Sequence, residues 1–375
     1  MRRTRVLFSF GTRPEAIKLA PVIKEMQKRP GRFEVKVLVT AQHRRMLDQV
    51  LKLFGIEPDY DLNVMRPAQS LADVVVRALP RIEGIIQMCR PDVLLVQGDT
   101  TSAFVSALAA YYQQVPVGHV EAGLRTNDKY APFPEEMNRR LIGAMADQHF
   151  APTSWARDNL LREGVPAQAV HVTGNPVVDA LIMTLRSSGH ERVAVLERIP
   201  AERKIILVTG HRRESFGPGL ARICQALIQI VRRNRDVEVV YPVHLNPQVR
   251  KPVSRTLAGL ERVHLIEPLD YRTFVRLMAR AYLILTDSGG IQEEAPTLHK
   301  PVLVMRDRTE RPEALAAGTA RLVGTAARRI VLETERLLYS PAAYQRMSAP
   351  ANPFGDGRAA RRIANIVARF GSERK

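Results

Sequence analysis

Short runs of consecutive apolar residues alternate along the chain with longer stretches in which apolar positions recur every three or four residues. The runs at residues 6–10, 34–40, 92–97, 115–120, 148–151 and 169–172 read as strands. Helical spacing follows them, as in Ile17, Ala20, Ile23 and Met26, in Leu47, Val50, Leu51 and Phe54, and in the long pattern over residues 71–88. Pro21 is expected to kink or restart the first of these helices. Asp92-Val-Leu-Leu-Val-Gln97 is apolar almost throughout, as a strand covered on both faces of a parallel sheet must be. Periodicity weakens over residues 187–203, and a second series then begins, with strands predicted at 204–208, 237–241, 262–266, 281–285 and 301–305. The pattern therefore predicts an α/β chain of two domains, residues 1–186 and 204–355, joined by a linker at 187–203 and followed by a last helix within 356–375.

The candidate chemistry sits where strands end. Arg13 follows the first strand, and Pro14 suits a first helical turn. Asp99 follows the strand 92–97, Glu121 follows 115–120, and Glu135 opens the next predicted helix. Three carboxylates at one sheet edge form a set that can share protons near neutral pH, although each alone has the pattern of a cap or an ion-pair partner. In the second series His211 lies on a strand-end loop, as a phosphate contact or a proton carrier. Thr286-Asp-Ser-Gly-Gly-Ile-Gln-Glu-Glu-Ala-Pro296 is a strand-to-helix turn in which Ser288, Gly289 and Gly290 would let backbone N–H groups meet a diphosphate. One of Glu293 and Glu294 would then take the ribose hydroxyls. A capped helix with a glycine turn has the same pattern.

Composition narrows this only in part. The chain has 375 residues, 56 Lys and Arg against 38 Asp and Glu, and a net charge of +18. The basic residues are spread out, and aromatics are 6%. That favours an anionic small substrate over nucleic acid, whose binders concentrate charge among aromatics. Cys89 and Cys224 lie in apolar helical patterns and suggest neither a disulfide framework nor a metal site. No apolar run approaches a membrane span, so a cytoplasmic protein without a signal peptide is expected. The P-loop and Gly-x-Gly-x-x-Gly signatures are absent, which leaves ATPase or NAD chemistry without an anchor.

Taken in order, Gly11-Thr-Arg-Pro-Glu-Ala-Ile-Lys18, Gly98-Asp-Thr-Thr101, His119-Val-Glu-Ala-Gly-Leu-Arg-Thr126, Pro134-Glu-Glu136, Thr209-Gly-His-Arg-Arg-Glu-Ser215, the 286–296 turn and Thr309-Glu-Arg-Pro-Glu313 carry a resemblance across nearly the whole chain. Together they resemble the non-hydrolysing UDP-N-acetylglucosamine 2-epimerases. The resemblance implies a GT-B-like architecture, two Rossmann-like domains with parallel sheets facing across a central cleft, and a last helix that crosses back to the first domain. It implies interconversion of UDP-GlcNAc and UDP-ManNAc with no NAD and no metal, through anti elimination of UDP, a bound 2-acetamidoglucal and re-addition. Asp99, Glu121 and Glu135 match the acid–base carboxylates, and His211 a residue near the UDP phosphates. Arg13, Lys18 and Arg311 match basic positions of the active site, Ser288 and Gly289 the diphosphate cradle, and Glu294 the ribose-binding acid. Gly290 and Phe274 are expected at the same UDP site, Phe274 near the uracil where Leu269 offers no polar contact.

Bacterial members of that family can bind a second, activating UDP-GlcNAc, and Gln42, Gln69, Glu136, Arg212 and His244 match those positions. Ala68 stands where some relatives have Arg, and Leu269 where some have Gln. A homodimer and a role in supplying ManNAc-type sugars to surface polysaccharide are expected from the resemblance alone. The rival readings are a hydrolysing epimerase that releases ManNAc and UDP, a GT-B glycosyltransferase, and a binding protein without turnover. Three carboxylates beside a diphosphate site speak against the last.

Overall fold

A computed structural model describes residues 2–40, 44–64, 66, 69–187, 193–210, 212 and 215–373. The chain divides into two units, residues 1–183 with 354–375, and residues 184–353. Each is a parallel sheet alternating with helices.

In the first unit the strands are β1 (Thr4–Phe10), β2 (Phe33–Val39), β3 (Tyr60–Asp61), β4 (Val93–Gln97), β5 (Val117–Val120), β6 (Gln148–Ala151) and β7 (Val170–Val172). Their order across the sheet is β3-β2-β1-β4-β5-β6-β7, every pair parallel, with Phe8 opposite Val37 on one side and Leu95 on the other. Leu7, Leu94 and Val96 pack with Ala103, Ala107 and Ala110, small residues on the helix Thr101–Tyr112 that let it lie close to the sheet. The order reverses between β1 and β4. Helices leave in opposite directions there, and a crevice opens at the carboxyl ends of the strands.

The second unit repeats the plan. Its strands are β8 (Lys204–Thr209), β9 (Val237–Pro242), β10 (Val263–Ile266), β11 (Leu283–Thr286), β12 (Val302–Val304) and β13 (Ala320–Leu322), in the order β10-β9-β8-β11-β12-β13. Its switch point lies between β8 and β11. Ile206, Val208, Tyr241, Leu285 and Leu303 form its core with Leu220, Ile223, Leu227 and Ile230 of the helix Pro218–Arg233.

Two differences from the sequence reading have physical causes. The helix Arg13–Gln27 runs through Pro21 without a break. The missing hydrogen bond and ring clash cost about 3 kcal/mol, but Pro21, Ile17, Leu19, Ala20, Val22 and Ile23 are all buried and hold the helix to the sheet. Residues 193–203 belong to the second unit, where Val193 and Ile199 are buried beside a short 3-10 turn at Leu196–Arg198. The last helix, Ala359–Glu373, falls within the expected 356–375.

The return of the chain to the first unit is firmly built. Phe354 is fully buried, and its carbonyl accepts from the backbone N–H of Asn175 at 2.7 Å. Gly174 and Gly355 cross at that point with φ of +84° and +133°, and a Cβ on Gly174 would lie 3.3 Å from the Cα of Gly355. A side chain at either position would strain the backbone and press on the other segment. Beyond the crossing, the carboxylate of Asp179 accepts from the N–H groups of Ala359 and Ala360 at 3.2 and 3.0 Å, capping the last helix. Burial pushes the Asp179 carboxyl up to about 6.

Candidate active site

In the first unit, the loops after β1 and β4 are tied together by one carboxylate. Thr12 and Glu15 form a capping box at the start of the helix Arg13–Gln27. Oε2 of Glu15 accepts from the N–H groups of Gly11 and Thr12 at 3.1 and 2.8 Å, and Oε1 accepts from the Thr100 hydroxyl at 2.7 Å. Glu15 is buried, and desolvation raises its carboxyl above the ordinary range despite those donors. Gly11 is forced: a Cβ there would meet the Thr40 hydroxyl at 2.2 Å. Arg13, the first residue of the helix, is thereby placed at the switch point, half-buried.

Glu121 follows β5 with φ +65°, a conformation rare for a residue with a side chain. It is 5% exposed, and its carboxylate is surrounded by donors from three elements. Lys18 Nζ lies 2.5 Å from Oε1, the Asn175 side-chain amide donates to the same oxygen at 2.8 Å, and the Gln97 amide donates to Oε2. Strand pairing brings the next carboxylate close in the fold: Gly98 N–H donates to the Val120 carbonyl at 3.0 Å. Asp99 then accepts from Arg139 Nε at 2.7 Å, while the Asn138 amide holds the Asp99 backbone carbonyl at 2.9 Å.

Glu135 and Glu136 begin the helix Glu135–Met145 and face different surroundings. Oε2 of Glu135 is buried without a hydrogen-bond partner. Glu136 is wholly buried and accepts from the N–H groups of Thr126 and Asn127 at 3.0 and 3.2 Å, from Arg139 at 3.1 Å and from Arg140 at 3.3 Å. Asp99, Glu121 and Glu135 thus all belong to the carboxyl edge of one sheet. His119 underlies them: buried, it donates through Nε2 to the Gly98 carbonyl at 2.7 Å, and desolvation lowers it to about 3. It is neutral and structural at physiological pH.

The second unit presents the corresponding edge. After β11 the Asp287 carboxylate accepts from the Arg212 N–H at 2.8 Å, joining the loops after β8 and β11 as Glu15 joins those after β1 and β4. Ser288 occupies the N-cap position of the short helix Gly289–Glu294 without a side-chain capping bond, its own N–H bonded to the Thr286 hydroxyl at 2.9 Å. Gly289 is buried; a Cβ there would sit 3.6 Å from the Arg311 guanidinium. Arg311 donates to Glu293, and both are buried. The sequence left the choice between Glu293 and Glu294 open. Glu293 is occupied by Arg311, and Glu294 accepts from the Tyr271 hydroxyl at 2.5 Å. Tyr271 opens the helix Tyr271–Arg280, which also carries the half-buried Phe274. Gly290 is half-buried in the same turn.

The remaining predicted positions are more scattered. His244 is exposed, with Nδ1 accepting from the Asn246 N–H at 3.1 Å. Gln69 accepts from the Arg66 N–H at 3.0 Å and from Arg77 at 3.2 Å. His211, Gln42 and Ala68 lie outside the described residues. Among the described residues no cluster of His, Cys, Asp and Glu could hold a metal ion, and no helix is long and apolar enough to cross a membrane.

The family described as UDP-N-acetylglucosamine 2-epimerase matches residues 24–368. The chain belongs to that family. A UDP-N-acetylglucosamine 2-epimerase of Salmonella typhimurium is 58% identical over 369 residues, covering 97% of this chain and 98% of the relative. The enzyme of that name from Escherichia coli K12 is 56% identical over 369 residues, with the same coverage of both chains. Among solved structures, the epimerase of Neisseria meningitidis bound to UDP-GlcNAc superposes with a TM-score of 0.92 at 47% identity, covering 98% of this chain and 100% of the other. The Methanocaldococcus jannaschii epimerase in complex with UDP-GlcNAc and UDP gives 0.82 at 31%, with coverage of 98% and 100%. The epimerase family thus shares both parallel-sheet units, and the GT-B-like assignment stands.

Several residues of this candidate site were not picked out from sequence. Glu15 carried a readable signal in the Thr12-x-x-Glu15 capping box. Asn175 was visible only as the start of a helix, and Gln97 only as the end of a strand. Asp287 and Tyr271 carried no local signal of the partners they have.

Proposed function

We propose that this protein is a UDP-GlcNAc 2-epimerase of the non-hydrolysing kind, interconverting UDP-GlcNAc and UDP-ManNAc. In the forward direction a carboxylate takes the C2 proton while the C1–O bond breaks and UDP leaves with the electron pair. A C1=C2 double bond remains in 2-acetamidoglucal. UDP then adds back to C1, and a proton is delivered to the other face of C2. One carboxylate serves one face, so the reaction needs at least two. General acid or base groups of this kind contribute about 10²–10⁴-fold each.

The observation that carries this reading is the set of three carboxylates at one sheet edge in unlike environments. Glu121 is anchored by Lys18, Gln97 and Asn175. Asp99 is paired to Arg139, and Glu135 has a buried oxygen with no hydrogen-bond partner. Groups so differently held suit different proton-transfer roles. We assign Asp99, Glu121 and Glu135 to acid–base work. The UDP leaving group falls to the second unit, with its diphosphate on Ser288, Gly289 and Gly290, its ribose on Glu294, and Phe274 beside the base. Arg13, Lys18, Arg311 and His211 supply cationic or donor groups that stabilise charge on the departing diphosphate. The expectation that neither NAD nor metal takes part belongs to this proposal, as do a cytoplasmic homodimer and a role in supplying ManNAc-type sugars. For Glu136 we favour a brace for Arg139 and residues 126–127 over a contact with a second nucleotide sugar, because its whole carboxylate is spent inside the unit.

Proton NMR of the protein with UDP-GlcNAc in deuterated water, without NAD, metal or acceptor, tests the proposal. UDP-ManNAc carrying deuterium at C2 is the expected product. Free ManNAc and UDP would replace it with the hydrolysing reading. No reaction until an acceptor is added would indicate a transferase.

A further inference from the structure

We propose that Asn175 is a positioning residue for the epimerisation, fixing the Glu121 carboxylate through its side-chain amide and bracing it on the returning C-terminal segment. The inference rests on the assignment of Glu121 to proton transfer. Asn175 is wholly buried, and each of its polar groups has a defined duty. Nδ2 donates to Glu121 Oε1 at 2.8 Å, and Oδ1 accepts from the Val177 N–H at 3.1 Å. Its backbone N–H donates to the Phe354 carbonyl at 2.7 Å. The second duty orients the side chain: because the amide oxygen is committed to the helix start, the NH2 group must point at Glu121. The third fixes the backbone, since Gly174 and Gly355 cross at close contact beside it.

Glu121 needs such a brace. It stands on a backbone with φ +65°, where a side-chain residue is held only if its surroundings dictate it. Lys18 supplies the counter-charge on a long, flexible side chain, and Gln97 reaches the other oxygen. Asn175 is short, buried and anchored at both ends. It therefore sets the plane of the carboxylate, and hence the direction in which its lone pairs meet a C2 proton. Misplacement of a reacting group by about 1 Å costs about 10²-fold in rate.

Asn175→Asp separates these duties. It keeps the oxygen that accepts from Val177 and the backbone bond to Phe354, but turns the donor that faces Glu121 into an acceptor. The expected result at pH 8 is a loss in kcat of about 10²-fold, with KM and the UDP dissociation constant within about threefold and a lowered Tm, because a second buried carboxylate faces Glu121. As the pH falls, the introduced carboxyl takes up a proton and can donate again, so the ratio of variant to wild-type kcat is expected to rise. Asn175→Ser keeps a capping oxygen but cannot span to Glu121, so it should show the loss without the acid recovery. In a Glu121→Gln background, Asn175→Asp should cost nothing further.

Wild-type kcat in Asn175→Asp at every pH, with Glu121→Gln impaired, would overturn the positioning role and leave Glu121 in the mechanism. Equal losses in both Asn175 variants that follow their Tm at every pH would reduce Asn175 to a helix cap and also overturn it. Wild-type turnover in Glu121→Gln would instead remove the assignment on which the inference rests.

Discussion

Replacing Glu136 by glutamine is expected to lower the melting temperature of the first unit markedly, whereas the same change at Glu135 is expected to leave stability intact and remove turnover. The two residues are adjacent, and their hydrogen bonding makes the contrast. Glu136 is wholly buried and accepts four hydrogen bonds, two of them from arginines. An amide turns one of its two oxygens into a donor that faces other donors. Breaking a buried ion pair from one side costs about 3–5 kcal/mol. The lower end applies here because Arg139 keeps its bond to Asp99. Arg140 is more than a third exposed and adds at most about 0.5 kcal/mol. For a unit of about 200 residues, 3 kcal/mol corresponds to roughly 6–12 °C. At Glu135 the buried Oε2 has no hydrogen bond to lose, so Glu135→Gln should shift the melting temperature by less than about 2 °C. Its turnover should fall by about 10²–10⁴-fold. Differential scanning calorimetry with turnover assays on both variants decides the matter. A Glu136→Gln protein that melts with wild type, or a Glu135→Gln protein that melts early and turns over normally, would refute the reasoning.

Glu121→Gln is expected to cut turnover by about 10²–10⁴-fold with UDP affinity almost unchanged; loss of UDP binding, read by titration calorimetry, would point to a ligand-holding role instead. Gly289→Val should lose UDP affinity, because its branched methyls would press on the Arg311 guanidinium, 3.6 Å from the Cβ position; a folded variant that binds UDP like wild type would move the diphosphate elsewhere. His119 and His149 are lowered by burial to about 3 and about 4, so between those values and about 6.5 the unfolded chain binds the extra protons. Their stabilising contribution is complete above pH 6.5 and is lost as pH falls. Each should steepen the decline by up to about 1.4 kcal/mol per pH unit in that window. Denaturant melts at pH 5 and pH 7 of wild type and His119→Gln check this, and an unchanged pH slope in the variant would exclude His119 from the effect.

How much of this was legible depended on how local the cause was. Continuous apolar runs marked the central strands, and their ends marked Arg13, Asp99, Glu121 and Ser288, because strand ends and ligand edges coincide in parallel sheets. The edge strands Tyr60–Asp61 and Ala320–Leu322 were not foreseen; at two and three residues they are too short to show a period. The unbroken helix at Pro21 was hidden because burial against the sheet outweighs a local penalty. The surroundings of Glu121 were out of reach for another reason. Lys18 precedes it by 103 positions and Asn175 follows by 54, and no local pattern announces such a meeting. Glu135 and Glu136 looked alike as letters and differ only in what the fold brings to each.

The first unit is written in two pieces, with residues 184–353 between them. Synthesis runs from the amino end, so an entire second unit emerges from the ribosome before the segment that finishes the first. Until then Asn175 has no Phe354 carbonyl to hold, and Asp179 has no helix to cap. The face that receives Ala360, Ile363, Ala364 and Val367 also waits uncovered. A nascent chain can therefore carry Asp99, Glu121 and Glu135 well before the segment that fixes the Asn175 backbone has been made. Support for Glu121 through Asn175 thus waits on residues that lie beyond the whole of the second unit.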